Sequence, residues 1–411
     1  MRRNPRRIRW TTVALAAAVT LVASACGGGP SAQDGDSPLL VGTSLPLTGQ
    51  FSQPGTEAKR GYEVWQATVN ERGGLLGRQV KLVVKDDSSN QNTVVADYNA
   101  LISRDKVDLL LGSFSSLLNL PASAVAERNK MLFVEPAGGS PEMFDRGFKY
   151  LIYSQQGTAD RQGVAFAEWI AGLPEGRRPE TAAYPVLDDP FAKPNVQGIR
   201  KILEKAGIET VYSTTYAPDT KNFDTIVTRI KAAEPDLVVQ GAVFEDGVGL
   251  VRSMRKANVT TPWFYQTTAP SMGHQYAEGI GAENTEGILY AISHVPTAKT
   301  PGNEEFVAEY QEMFGQEPTE DAADAFAAGQ VLEAAAQGVG SMEDQLALAD
   351  WLRKNTVETI LGELSWNADG SPKGEFLVGQ WQNGKTEVVL PKEVATSARI
   401  VEGWRPGGAG R

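Results

Sequence analysis

Apolar and polar residues along this chain follow two rhythms that take turns. Val80, Leu82 and Val84 recur at every second position into Asp86, the period of a strand with one buried face. Val107 to Leu111 and Met131 to Val134 are unbroken apolar runs, which suit strands covered on both faces. Upstream, Ala58, Tyr62, Trp65 and Val69 fall at i, i+4, i+7 and i+11, one buried stripe of a helix. Strand and helix in alternation predict a parallel α/β sheet.

The pattern then starts again. Ala182 to Leu187 is a strand followed by a helix marked by Ile199, Ile202, Leu203 and Ala206. Thr210 to Tyr216 and Leu237 to Gly241 are the next strands, each followed by a helix, the first carrying Phe223, Ile226, Val227 and Ile230 and the second Leu250, Val251, Met254 and Ala257. Helical segments follow at Asn303 to Phe314, Ala322 to Ala336 and Glu343 to Asn355. One core seldom grows past about 250 to 300 residues, so the restart predicts two α/β lobes of similar plan with a cleft between them.

The ends of the chain break both rhythms. Arg2, Arg3, Arg6, Arg7 and Arg9 precede an apolar run from Trp10 to Ala25 that closes on small residues, the layout of a cleaved secretory signal. The run is short for a membrane span, which needs about 20 apolar residues. Ala23-Ser24-Ala25-Cys26 before three glycines resembles the lipobox of bacterial lipoproteins, and Cys26 is the only cysteine of 411 residues. The resemblance implies lipid on Cys26 (a palmitate-type anchor) and a chain fastened to the outer face of the cytoplasmic membrane; a plain signal peptide with an incidental cysteine is the alternative. Arg2-Arg3 and Arg6-Arg7 leave the Sec and twin-arginine routes both open. Residues 26–38 read as a flexible tether, and 391–411 as a C-terminal tail whose last part, from Gly403, is rich in Gly and Pro.

Charge narrows the partners. Loss of residues 1–25 removes five arginines and no acid, which takes the net charge from −11 to −16 and argues against nucleic acid and anionic lipid. Catalysis finds few parts. His274 and His294 are the only histidines and lack zinc-ligand spacing, and there is no G-x-S-x-G elbow or phosphate-binding Walker loop. The acid pairs Asp86-Asp87 and Asp188-Asp189 end strands, where carboxylates usually cap a turn or helix. No cofactor or metal is expected, and the chain is expected not to be an enzyme.

Binding has better candidates, because open α/β sheets place ligands beyond the carboxyl ends of their strands, at helix N-termini. Gly112-Ser113-Phe114-Ser115-Ser116 follows one such strand, and Glu135-Pro136-Ala137-Gly138-Gly139-Ser140-Pro141 follows its expected neighbour. Ordinary serine-capped turns explain either loop alone. Together they suggest one pocket for an anionic or carboxylate group.

Leu45-Pro46-Leu47-Thr48-Gly49, Asn70-Glu71-Arg72-Gly73-Gly74-Leu75-Leu76-Gly77-Arg78, the strand into Asp86-Asp87 and the two serine/glycine loops together resemble the leucine/isoleucine/valine-binding family, the type I solute-binding proteins of ATP-driven importers. The likeness runs from about Leu39 to Trp381. It implies two Rossmann-like lobes, 39–153 plus 295–365 and 154–294 plus 366–390, joined by three hinge crossings near Tyr153, His294 and Trp366. It also implies closure over a small solute, an ABC permease and ATPase as partners, and action as a monomer.

Carried over by motif, Ser116 with its neighbour Ser115 matches the serine that holds the ligand carboxylate. Ala137, Gly138 and Gly139 match the backbone contacts to it, Gly139 standing where the family has a threonine, with Ser140 available in compensation. Phe191 matches an aromatic cover from the second lobe, and Val243 or Phe244 matches another. Thr267 stands where amino-acid binders carry a glutamate for the ligand ammonium; Glu135, Glu245 or Asp246 are the substitutes at hand. An amino acid, an amide or an aromatic acid all remain open as solute, and Trp65, Trp263 and Phe191 hint at an aromatic or larger apolar one. A sensory ectodomain reporting to a signalling partner is the alternative function.

Overall fold

The structure, a computed structural model, describes residues 37–408. The signal peptide, Cys26 and most of the tether lie outside the described residues. Lobe 1 opens with β1 (Leu39–Leu45), α1 (Ser52–Glu71), β2 (Val80–Asp86), α2 (Gln91–Ser103), β3 (Leu109–Leu111), α3 (Ser116–Arg128), β4 (Phe133–Glu135) and β5 (Leu151–Tyr153). Lobe 2 follows with α4 (Ala159–Gln162), α5 (Val164–Ala171), β6 (Thr181–Leu187), α6 (Ala192–Lys205), β7 (Glu209–Tyr216), α7 (Asp224–Ala233), β8 (Leu237–Gln240), α8 (Glu245–Lys256), β9 (Trp263–Gln266), α9 (His274–Ile280) and β10 (Leu289–Ile292). The chain returns to lobe 1 for α10 (Asn303–Phe314), α11 (Glu320–Val339), α12 (Gln345–Lys354) and the hairpin β11 (Val357–Thr359) and β12 (Gly362–Leu364). It crosses once more for β13 (Leu377–Gln382) and β14 (Lys385–Leu390).

The first sheet is parallel throughout, in the order β2-β1-β3-β4-β5. The second runs β14-β13-β10-β9-β8-β6-β7, parallel from β7 to β10 and closed by an antiparallel β13–β14 hairpin. Alternation of side chains across the first sheet explains the unbroken apolar runs. Leu109, Leu111, Leu132 and Val134 join the core under α1 and α11, whereas Leu110 and Phe133 join the opposite core under α2 and α3.

Helix α1 buries Ala58, Tyr62, Trp65 and Val69, the predicted stripe. Its closeness to α11 depends on two glycines. A Cβ on Gly61 would lie 2.0 Å from the Ala322 carbonyl oxygen, and one on Gly329 would lie 2.3 Å from the Trp65 ring. Asn90, Thr319 and Asp344 cap α2, α11 and α12 by accepting from first-turn amides.

Two expectations need correction. Val107 and Asp108 lie outside β3, since Val107 N–H bonds back to Leu101 O in the turn after α2. Residues 391–408 are no free tail. Trp404 is 1% exposed, stacks edge-on against Phe264 and bridges Thr261, while Val401 N–H donates to Gln380 Oε1, so the segment is sewn onto lobe 2. A tryptophan buries 150–250 Å² of surface, enough to hold a Gly/Pro-rich segment without periodicity.

Candidate functional site

The strand-end acids are structural. Asp86 Oδ1 accepts from Leu47 N–H at 3.0 Å and Thr48 N–H at 3.2 Å, which shapes the Leu45–Gly49 turn. Asp87 accepts from Ser113 Oγ at 2.9 Å, and Asp189 accepts from the Phe191 and Ala192 amides at the start of α6. Glu135 sits under its own loop with Oε2 accepting from Asn119 Nδ2 and Ala137 N–H, and burial pushes it up to about 8. Asp246, one of the three acids that sequence offers for a ligand ammonium, accepts from Tyr216 Oη at 2.6 Å and Val243 N–H at 3.0 Å, and burial pushes it up to about 6.

Between the lobes lies a small cavity of about 50 Å³. Phe114, Ser115, Pro136 and Ala137 form its lobe 1 side, and Asp189, Phe191, Val243, Thr268 and Ser271 its lobe 2 side. The first and third crossings supply Tyr153, Gln155 and Phe376, α4 supplies Gln162, and the first turns of α11 supply Glu320, Asp321 and Asp324. The lobes meet across it, since Gln50 Nε2 donates to Pro218 O at 3.2 Å and Gln275 Nε2 to Glu57 Oε1 at 2.8 Å.

Ser115, Ala137 and Phe191, three of the residues singled out from sequence, are on the wall. Ser115 has φ 74° and ψ 153°, a region essentially reserved for glycine, and its Oγ has no hydrogen-bond partner among the described residues. Of the Val243 and Phe244 pair, Val243 lines the cavity and Phe244 is the residue just before α8.

Ser116, Gly138, Gly139 and Ser140 stand just behind the wall. Ser116 Oγ accepts from Ser140 N–H at 3.0 Å and so ties the two loops together. Gly138 leaves no room above Glu135, where a Cβ would lie 2.7 Å from the carboxyl oxygens. The Gly139 carbonyl accepts from Ala159 N–H at the start of α4.

Thr267 is the clearest displacement. It is fully buried, its Oγ1 donates to Ala242 O at 2.5 Å and accepts from Ala242 N–H at 2.9 Å, and Thr268 takes the place on the wall. Both threonines follow the end of β9, and Thr268 Oγ1 also donates to Ala242 O, at 3.0 Å, while its side chain still reaches the cavity. Trp65 and Trp263 are core, the first against Gly329 and the second edge-on to Trp169.

The acids of α11 were the residues that pattern reading missed. Burial and the charge of Asp324 raise Glu320 well above the usual carboxylate range, and burial pushes Asp324 up to about 7. The signal was present as Glu320-Asp321-Ala322-Ala323-Asp324 opening an Ala-rich helix, but acids in a first turn ordinarily serve the helix dipole. A larger hollow of about 520 Å³ shares Ser271 and Glu320 with the cavity and is lined by His274, Tyr290, His294 and Trp381, so both histidines sit there. His294 donates no charge, since burial pushes it down to about 4. Among the described residues no cluster has the makings of a metal site, and no helix is long and apolar enough to cross a membrane.

Residues 38–386 match the model of the periplasmic binding protein family. The chain belongs to that family. An amino acid binding protein of Pseudomonas aeruginosa is 26% identical over 346 residues, covering 84% of this chain and 90% of its own length. Among solved members, the branched-chain amino acid transporter substrate-binding protein of Streptococcus pneumoniae, in complex with isoleucine, superposes with TM-score 0.76 at 19% identity, over 89% of this chain and all of that one. An ABC transporter solute-binding protein of R. palustris, in complex with benzoate, gives TM-score 0.76 at 19% identity over 89% of this chain and 99% of its own. This periplasmic binding protein thus has the two-lobed fold of type I members, and its family is one of solute binders outside the cytoplasm.

Proposed function

We propose that this chain is the solute receptor of an ABC importer, held at the outer face of the membrane by lipid on Cys26, and that it closes its lobes over a small carboxylate-bearing solute before docking on the permease and ATPase. The carrying observation is a cavity walled by both lobes and by the first and third crossings, with Ser115 held in a strained conformation and its own hydroxyl idle. Strain of this kind costs about 1–3 kcal/mol and persists where the surroundings impose it, commonly at ligand clamps. The first turn of α3 adds free amides that favour an anionic group. Phe191 and Val243 close over it from lobe 2.

A cavity of about 50 Å³ holds a few waters and not a whole amino acid, so the solute enters and leaves as the lobes part. The names of the relatives, which speak of amino acids, isoleucine and benzoate, support a small carboxylate as solute class. The test is calorimetric titration of a panel of amino acids, amides and aromatic acids, with small-angle scattering on the chain lacking residues 1–25. Binding with a drop in radius of gyration is expected. No binding and no compaction with any member of the panel would sink the receptor reading. Radiolabelled palmitate incorporated into the full chain but not into Cys26→Ser tests the anchor.

A further inference from the structure

Four carboxyl groups, Asp189, Glu320, Asp321 and Asp324, line the cavity, and no lysine, arginine or histidine does so among the described residues. Two of them share one donor. Ser293, in the second crossing, has its Oγ 2.8 Å from Glu320 Oε1 and 2.8 Å from Asp324 Oδ1, and its N–H also donates to Glu320 Oε1 at 2.9 Å. A hydroxyl has one proton to give. With both carboxyls ionised, one oxygen would face the hydroxyl oxygen with no hydrogen between them. The pair therefore keeps a proton, one carboxyl donating to Ser293 Oγ while the hydroxyl donates to the other. Their burial and mutual repulsion favour the same result.

A second observation comes from a different element. Gln155, in the first crossing, is 2% exposed and lines the same cavity, and its Oε1 has no hydrogen-bond partner among the described residues, although the side chain also bonds Asp324. Glu320 Oε2 is likewise without a partner. The hinge end of the cavity thus offers idle acceptors, a proton held between two acids and no cation. An idle acceptor buried this deeply costs about 1–3 kcal/mol unless a donor arrives. A benzoate-like anion brings none, whereas an ammonium brings three N–H groups and a charge of the right sign.

We propose that the solute carries a cationic amine and that this group docks at the hinge end, on Glu320, Asp324 and Gln155, in place of the shared proton. This deepens the receptor reading above and rests on it. The exchange balances: the site holds two carboxyls and one proton before binding, and two carboxylates and one ammonium after it, and the proton leaves to solvent. Recognition of the amine then comes from lobe 1 and the crossings, while position 267 in lobe 2, occupied by Thr267, serves the backbone of Ala242. The other titratable groups around the pair are Asp321 on the same helix, Glu57 on α1, Asp189 from lobe 2, and the phenols of Tyr153, Tyr265 and Tyr290, which burial keeps neutral. Arg60 is committed to Glu57 at 2.7 Å, and His294 stays neutral above about pH 4.

The experiment is titration of the full chain, in mild detergent, with matched probes: L-leucine against 4-methylpentanoate, L-phenylalanine against 3-phenylpropanoate, and benzoate alone. Each is run at pH 6 and pH 8 in two buffers of different ionisation heat, which counts the protons exchanged. The expected result is that an amine-bearing probe binds at least about tenfold more tightly than its amine-free partner. It should release roughly 0.5–1 proton at pH 6. Asp324→Asn and Glu320→Gln should each abolish the release and weaken the amine-bearing probe about tenfold at pH 8. Amine-free probes that bind within about threefold of their partners, or binding at pH 6 without proton release, overturn the inference. Should either variant fail to fold, the proton count on the native chain decides. Binding of benzoate or 3-phenylpropanoate alone removes the amine and leaves the receptor standing, and silence from both amine-bearing probes also overturns the inference.

Discussion

Replacing Ser115 with glycine should make the protein more stable and a worse binder at once. The backbone at φ 74° and ψ 153° costs a residue with a Cβ about 1–3 kcal/mol, and glycine adopts it freely. Against this, glycine gives the unfolded chain more freedom, worth about 0.5–1 kcal/mol. The hydroxyl itself contributes nothing to the unliganded fold, since Ser115 Oγ has no partner among the described residues. The net expectation is a gain of about 1 kcal/mol for Ser115→Gly, and no gain for Ser115→Ala, which keeps the strain. With an unfolding entropy of roughly 2 cal/mol/K per residue the gain moves Tm by only about 1–2 °C in a body of this size. Guanidinium unfolding followed by tryptophan fluorescence is therefore the sharper assay. Both variants should lose about 0.5–1.5 kcal/mol in affinity for any solute that uses the hydroxyl. Glycine no more stable than alanine at this position would refute the strain argument, and unchanged affinity in both variants would remove Ser115 from the site.

Other outcomes follow from the same geometry. Gly61→Ala should cost about 1–3 kcal/mol, because the new methyl meets the Ala322 carbonyl, which is backbone and cannot turn aside; a neutral result by denaturant titration would mean α1 and α11 are not so close. Thr267→Val should destabilise by about 1–3 kcal/mol by stripping both hydrogen bonds from Ala242, with solute affinity unchanged; a selective loss of affinity would put Thr267 back on the wall. Stability of the unliganded protein should fall as pH rises from about 5 to 8. Glu135, pushed up to about 8, and Asp324, pushed up to about 7, bind protons more tightly folded than unfolded, so their contribution is complete below the unfolded values and is lost through the folded ones. Glu135→Gln should flatten that slope, and an identical slope in the variant would show that Glu135 is not one of its sources.

The fold was legible because parallel α/β structure writes itself in two periods, and α1, β2, β6 and α10 lie where the periods put them. What hid were the pieces without a period of their own. Pairing along β10 holds β13 in register, and the segment through Trp404 is held by that side chain's burial in lobe 2. In the site, the loops after β3 and β4 were found from their glycines and serines, yet which residue faces the cavity depends on single-residue offsets. Ser115 stands in front of Ser116, Val243 in front of Phe244 and Thr268 in front of Thr267. The acids of α11 come from about 180 residues beyond those loops, and only the crossing of the chain brings them to the same hollow.

The two ends of the folded body belong to different lobes. The chain enters through β1 beside the edge of the first sheet and is last seen where Trp404 pins it to the second. Whatever grips the residues before Ser37 therefore grips lobe 1, and lobe 2 becomes the moving jaw. A pair of dyes placed at the two ends would read the gape of that jaw directly, as a ruler laid across the bite.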